Sequence, residues 1–140
     1  MLKQLLMEWA VKQKWKKMRV REDFSVEAYL NNIVDFFDPE KAADRRLVVV
    51  YEFHDSGEND GAWTITIAEG KCTLTKGEAK EYDTKLYMTA ETYRRILTGR
   101  LDFARHAYST GAVRFYGNTL GHRELNDYIT LPRNATVLAL

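Results

Sequence analysis

The chain has 140 residues, of which 45% are hydrophobic and 29% are charged, a balance typical of one globular domain. No apolar run approaches the roughly 20 residues that a transmembrane helix needs, and charges interrupt the opening stretch where a signal peptide would carry its apolar core. Cys72 is the one cysteine, which excludes an internal disulfide and a multi-cysteine zinc site. We therefore expect a cytoplasmic protein.

The net charge of +1 conceals an uneven distribution. Residues 1–21 contain seven Lys or Arg and one acid, Glu8, which gives +6, whereas the remainder contains fourteen Lys or Arg and nineteen acids, which gives −5. Each such cation near an anionic membrane contributes about 1 kcal/mol to binding. We interpret residues 1–24 as a basic, helical N-terminal extension that either contacts an anionic membrane or only solubilises the chain, and we expect no nucleic acid partner.

The body of the protein begins with a predicted amphipathic helix. Ser25 is a favourable N-cap, because its hydroxyl can accept a hydrogen bond from the first helical turn. Apolar residues follow with helical spacing: Val26, Tyr29, Leu30, Ile33, Val34 and Phe37. Asp38 and Pro39 then start a second, short helix, because proline is tolerated at the first helical position.

From Leu47 the apolar period falls to two, which predicts strands. The first strand is apolar on both faces at its start, as in a central strand. The residues Glu69 and Gly70 predict a tight turn between the second and third strands. The inward residues of the four strands are Leu47, Val49, Tyr51 and Phe53, then Trp63, Ile65 and Ile67, then Cys72 and Leu74, and finally Leu86 and Met88.

The next stretch predicts two helices and a closing strand. Thr89 caps a helix that carries Tyr93, Ile96 and Leu97, and Gly99 ends it. A second helix begins at Asp102 and ends at Gly111, after which Val113 and Phe115 alternate with polar residues in a fifth strand. The last helix spans about 119–128. Five strands, three of them consecutive, with helices segregated from them, predict an α+β fold: a largely antiparallel five-stranded sheet covered on one face by helices.

The closing half of the chain resembles the sterol carrier protein type 2 (SCP2) domain family. The matching segments are L-T-G-R-L-D at 97–102 and A-Y-S-T-G-A-V-R-F-Y-G-N-T-L-G at 107–121. The resemblance extends upstream to about Val26 and departs from the family pattern at Phe103, Arg114 and His122. It implies an SCP2-like lipid-binding domain over residues 25–130, followed by a C-terminal tail, 131–140.

The same resemblance implies an apolar pocket between the sheet and the helices. We expect its wall to be large, partly adaptable side chains that pack against a lipid ligand. The candidate ligand-binding residues are Phe37, Tyr51, Phe53, Trp63, Ile65, Met88, Tyr93, Leu97, Phe103, Tyr108, Phe115 and Leu120.

No residue pattern indicates catalysis or a metal. His54, His106 and His122 lack the spacing of a metal-binding pair, and we interpret them as solvated or capping side chains. Cys72 alternates inward on a strand, where a free cysteine is usually inert. We therefore expect no catalytic residue, no metal and no cofactor.

Two functions remain in competition. The first is a non-catalytic carrier of a fatty acid, fatty acyl-CoA, sterol or isoprenoid-like lipid. The second is an interaction module of the same fold whose pocket is closed and which docks a partner or forms a homodimer. From periodicity alone a closed core would be the simpler explanation, and the family resemblance is what favours a pocket.

Overall fold

The computed structural model describes residues 25–97 and 110–130, which form one five-stranded sheet with helices on one of its faces. Several predicted features lie outside these residues. They are the basic extension 1–24, the turn with Gly99 and Asp102, the side chains of Phe103 and Tyr108, and the tail 131–140.

The elements follow the predicted order. The helices are α1 (Val26–Asp35), α2 (Pro39–Ala42), α3 (Ala90–Leu97) and α4 (Gly121–Asp127), with one 3-10 turn over Gly57–Asn59. The strands are β1 (Leu47–Phe53), β2 (Gly61–Ala68), β3 (Lys71–Lys76), β4 (Thr84–Met88) and β5 (Arg114–Gly117).

The strand order is β3-β2-β1-β4-β5, so the strand predicted to be central is central. Its partner β2 is antiparallel and its partner β4 is parallel, while the β2–β3 and β4–β5 pairs are antiparallel. The prediction of a largely antiparallel α+β sheet is confirmed, with one parallel pair that the periodicity did not reveal. Glu69 and Gly70 form the predicted turn, and both have the positive φ, 54° and 72°, that a tight hairpin requires.

A polar segment between β3 and β4 folds over the face of the sheet opposite the described helices. The hydroxyl of Thr64 on β2 donates to the carbonyl of Gly77 at 2.7 Å and accepts from the amide of Ala79 at 3.0 Å. Lys85 on β4 pairs with Glu52 at 3.1 Å and also with Glu78. Ion pairs and hydrogen bonds therefore lie on this outer face, and most of the buried apolar side chains lie on the opposite face.

The N-termini of two helices meet at the loop between β1 and β2. The Val26 amide at the start of α1 donates to the Asn59 side chain at 3.0 Å, and the Ala90 amide at the start of α3 donates to the Ser56 hydroxyl at 2.8 Å. These amides lack partners within their own helices, because the first turn of a helix leaves its N–H groups unpaired. The loop thus positions both helices over the sheet. Ser25 also caps α1 as predicted, by accepting from the Ala28 amide at 3.2 Å.

Helix α4 rests on the sheet at one close contact. The Gly121 amide donates to the Thr84 hydroxyl at 3.1 Å, and that hydroxyl donates in turn to the Asn118 carbonyl. A Cβ at position 121 would collide with the Thr84 side chain, so the close approach depends on glycine. This contact brings the next residue, His122, against β1.

We predict that Gly121→Ala lowers the free energy of unfolding by about 1–3 kcal/mol, because the added methyl group forces α4 away from β4. Denaturant unfolding of the purified chain measures this loss. Arg123→Ala, at an exposed position of the same helix, is the control and should stay within about 0.5 kcal/mol of the wild type. Equal stability of Gly121→Ala and the wild type would show that α4 is not seated on Thr84.

Candidate functional site

The core beneath the helices contains a cluster of aromatic rings, which we call the aromatic cluster: Tyr29, Tyr51, Phe53, Trp63 and Tyr93. Tyr93 on α3 lies at its centre, with ring centroids 5.5 Å from Tyr29, 5.8 Å from Tyr51 and 5.4 Å from Phe53. Phe53 and Trp63 are 5.9 Å apart in an edge-to-face arrangement. All five rings are buried. Helices α1 and α3 and strands β1 and β2 therefore converge on a single aromatic interior.

The aromatic cluster contains polar atoms, and one of them, the Tyr51 hydroxyl, is hydrogen-bonded to a side chain of α4. The Tyr51 hydroxyl lies 2.6 Å from Nδ1 of His122, and the two rings meet edge to face at 5.8 Å. The amide nitrogen of Asn126 lies 3.2 Å from Nε2 of the same histidine. The neutral imidazole therefore bridges the Tyr51 hydroxyl and the Asn126 side chain, with one ring nitrogen donating and the other accepting.

Burial keeps these groups uncharged. It raises the pKa of Tyr29 and Tyr51 well above the ordinary value for tyrosine, and the pKa of Tyr93 is raised in the same way. Burial also lowers the pKa of His122 to about 4, so its imidazole is neutral at pH 7. The interior therefore offers neutral hydrogen-bonding groups set among apolar rings.

Trp63 is the polar residue of the cluster whose donor is unpaired. Its side chain is 2% exposed, and among the residues that the structure describes its indole Nε1 has no hydrogen-bond partner. The six-membered ring passes over Gly61, with ring carbons 3.8 Å from the position of an added Cβ. Lys76 lies over the indole face, with Nζ 5.6 Å from the ring centroid.

The structure brings half of the predicted ligand-binding residues together. Buried side by side beneath the helices are Tyr51, Phe53, Trp63, Ile65, Met88 and Tyr93. Phe37 and Phe115 are half-buried and pack against this core, whereas Leu120 is 61% exposed and lies apart from it. The side chains of Leu97, Phe103 and Tyr108 lie outside the described residues.

His122 was predicted to be a solvated or capping side chain, and its role in the interior was not predicted. The structure corrects this: the side chain is half-buried and hydrogen-bonded to the buried hydroxyl of Tyr51. A usable signal was present, since the family resemblance departs at His122 and a buried tyrosine on a central strand needs a hydroxyl partner.

A shallow cleft of about 430 Å³ opens at the end of the β1–β2 hairpin. Its lining combines acids with the edge of the core and consists of Glu52, Phe53, His54, Asp55, Asp60, Gly61 and Ala62. Within residues 25–97 and 110–130, no group of three His, Cys, Asp or Glu side chains is arranged to hold a metal ion. Phe53 and Gly61 connect the cleft to the aromatic cluster, because both also adjoin Trp63.

Cys72 is half-buried on β3, and its side chain packs against the core as predicted for an inward residue. Burial raises the pKa of its thiol to about 11, so the thiol is protonated at neutral pH. A protonated thiol is a poor nucleophile, which agrees with the interpretation of Cys72 as packing.

Comparison with known proteins supports the fold through solved structures. No family model matches the sequence, and no curated protein matches it. Sterol Carrier Protein 2 Like 2 from Aedes aegypti aligns with a TM-score of 0.58 at 17% identity, over 74% of this chain and 95% of that one. The apo form of Sterol Carrier Protein 2 from Yarrowia lipolytica aligns with 0.55 at 16% identity, over 76% and 98%. The chain has an SCP2-like fold.

The SCP2-like fold also occurs inside a larger enzyme. The stereoselective inverting sec-alkylsulfatase Pisa1 from Pseudomonas sp. aligns with a TM-score of 0.64 at 18% identity, over 76% of this chain. This chain spans only 16% of that enzyme. Within the described part of the present chain, no helix is both long and apolar enough to cross a bilayer.

The lowered pKa of His122 predicts a pH-dependent stability. Its pKa is about 4 when folded and about 6.5 when unfolded, so the unfolded state binds more protons between these values. The contribution is complete above pH 6.5 and is lost as the pH falls toward 4. We expect a loss of about 2 kcal/mol in the free energy of unfolding between pH 7.5 and pH 5.

Denaturant unfolding at the two pH values tests this, with His122→Phe as the variant, because carboxylates contribute equally to both chains. The wild type should lose about 2 kcal/mol more than His122→Phe. Thr73→Ala, at an exposed position with a side chain that does not titrate, is the control and should retain the wild-type slope. A His122→Phe slope equal to that of the wild type would contradict the burial of this imidazole.

Proposed function

We propose that the SCP2-like domain is a cytoplasmic, non-catalytic carrier of an apolar ligand: a fatty acid, fatty acyl-CoA, sterol or isoprenoid-like lipid. The observation that carries the proposal is the aromatic cluster, which lies where helices and sheet face each other in a fold shared with proteins named sterol carriers. Burial of an alkyl chain contributes roughly 0.8 kcal/mol per methylene. A site of this kind selects by apolar area and discriminates weakly between chain types.

The sulfatase similarity is compatible with the same ligand chemistry. That enzyme is named for alkyl sulfates, so an alkyl chain is part of what its name says it acts on. We propose that the SCP2-like portion and the present chain share the use of apolar chains and do not share the sulfatase reaction. A fold does not determine a reaction, which depends on the side chains of a site.

A closed interaction module is the second candidate. The observation that favours it is the complete burial of Ile65, Leu86 and Met88, each 0% exposed, because side chains packed to this degree can fill a pocket by themselves. In that case the domain would dock a partner or a second copy through its surface and bind no lipid.

We predict that Met88→Trp separates the two candidates. Met88 lies beside Phe53 in the register of β4 and β1 and faces the core. If the site takes a ligand, the larger ring occupies that space, so uptake of a fluorescent fatty acid falls at least tenfold while the melting temperature stays within a few degrees. If the core is closed, the ring overpacks it and costs about 1–3 kcal/mol.

Thr73→Trp is the matched control, because Thr73 is exposed on β3. It adds the same ring without entering the core, so it should change neither uptake nor melting. A wild type that neither takes up fatty acid nor copurifies with lipid, together with a destabilised Met88→Trp, would reject the carrier and favour the module. Native mass spectrometry of the purified chain gives an independent readout through copurified lipid.

The basic extension gives the carrier a route to its ligand. We predict that the full chain sediments with anionic vesicles and not with neutral ones, and that the effect fades by a few hundred millimolar salt, since the Debye length is already about 8 Å at physiological ionic strength. Deletion of residues 1–20 should abolish sedimentation and leave a cooperatively melting body. Equal binding to neutral vesicles would contradict the electrostatic contact.

A further inference from the structure

The unpaired indole of Trp63 distinguishes this interior from a hydrocarbon pocket. Nε1–H is a strong donor with no acceptor function, and within the described part of the chain it has no partner while buried. Buried donors in native proteins are almost always paired, and an exception calls for an explanation such as a bound molecule. A phenylalanine would fill the same apolar space without this cost.

The donor is also held in a fixed orientation. The indole lies close to Gly61 on one side, and its ring meets Phe53 edge to face. Lys76 lies over the ring face. A donor fixed by its neighbours loses little conformational freedom when it binds an acceptor, which is how binding sites gain specificity from one polar group.

We propose that Trp63 Nε1 is the polar anchor of the ligand site and donates a hydrogen bond to a neutral carbonyl oxygen, of a ketone or an ester, on an otherwise apolar ligand. This inference rests on the proposed carrier function and narrows its ligand class. It ranks a neutral carbonyl lipid above a free fatty acid.

The preference for a neutral acceptor follows from the charges nearby. The hydroxyl groups of Tyr29, Tyr51 and Tyr93 and the imidazole of His122 are neutral at pH 7, so the described cluster contains no cation to pair with a carboxylate. Lys76 does not supply one, because its ammonium lies over the ring face whereas an acceptor for Nε1–H lies in the ring plane. Burial of an unpaired carboxylate is far more costly than burial of a carbonyl.

The test uses the full chain labelled with ¹⁵N and three eight-carbon probes: 2-octanone, octane and octanoate. The indole resonance of Trp63 is identified by its loss in Trp63→Phe and by its persistence in the double variant Trp9→Phe, Trp15→Phe, in which Trp63 is the remaining tryptophan. We expect 2-octanone to move this resonance downfield, and octane to bind without that shift. Trp63→Phe should weaken 2-octanone about tenfold and octane less than threefold.

Each other outcome counts against the inference in a different way. If 2-octanone and octane both bind and 2-octanone does not shift the indole resonance, Nε1–H is either bound to a buried water or unpaired. The inference then fails while the carrier function stands. If octanoate binds more tightly than 2-octanone, the neutral-carbonyl class is wrong. If no probe binds, the carrier function and this inference fail together. The shift comparison in the double variant decides the question even if Trp63→Phe does not fold.

Discussion

Tyr51 sets the constraint on which the rest of the interior depends. It is a large side chain, fully buried on the central strand, and its hydroxyl must be paired there because an unpaired buried hydroxyl is costly. His122 supplies the partner at 2.6 Å, and it reaches Tyr51 only because Gly121 lets α4 sit directly on Thr84. Packing, helix placement and the protonation state of the imidazole are therefore coupled through one hydrogen bond.

The requirement that polar groups be paired also explains the role of the loop between β1 and β2. Two helices begin at this end of the sheet, and their first amides have no partners of their own. Ser56 and Asn59 satisfy the amides of Ala90 and Val26, so a loop that reads as merely polar in sequence fixes where α1 and α3 lie. Tyr29 lies on α1 and Tyr93 lies on α3, and their rings meet over the sheet. The position of the aromatic cluster is thus set by backbone hydrogen bonds as well as by apolar packing.

Sequence patterns predicted those features that depend on local periodicity and capping. The central position of β1, the turn at Glu69 and Gly70, the cap at Ser25 and the inward placement of Trp63 all follow from such signals. The parallel β1–β4 pair and the contact of His122 with Tyr51 were not predicted, because each joins residues far apart in the chain and depends on three-dimensional register. Leu120 illustrates the same limit: it was expected among the ligand-binding residues, whereas α4 begins one residue later and Leu120 is exposed.

One structurally similar protein is an enzyme, so the protonation states of the buried groups here bear on whether those groups could transfer protons. General acid–base catalysis works best with a pKa near the working pH. Here burial moves the titratable groups away from it: His122 to about 4, the Cys72 thiol to about 11, and the three tyrosines upward. Each group is thereby held in its neutral form at pH 7. Under the proposed carrier function, such an interior would hold an uncharged molecule by apolar contact and directed hydrogen bonds.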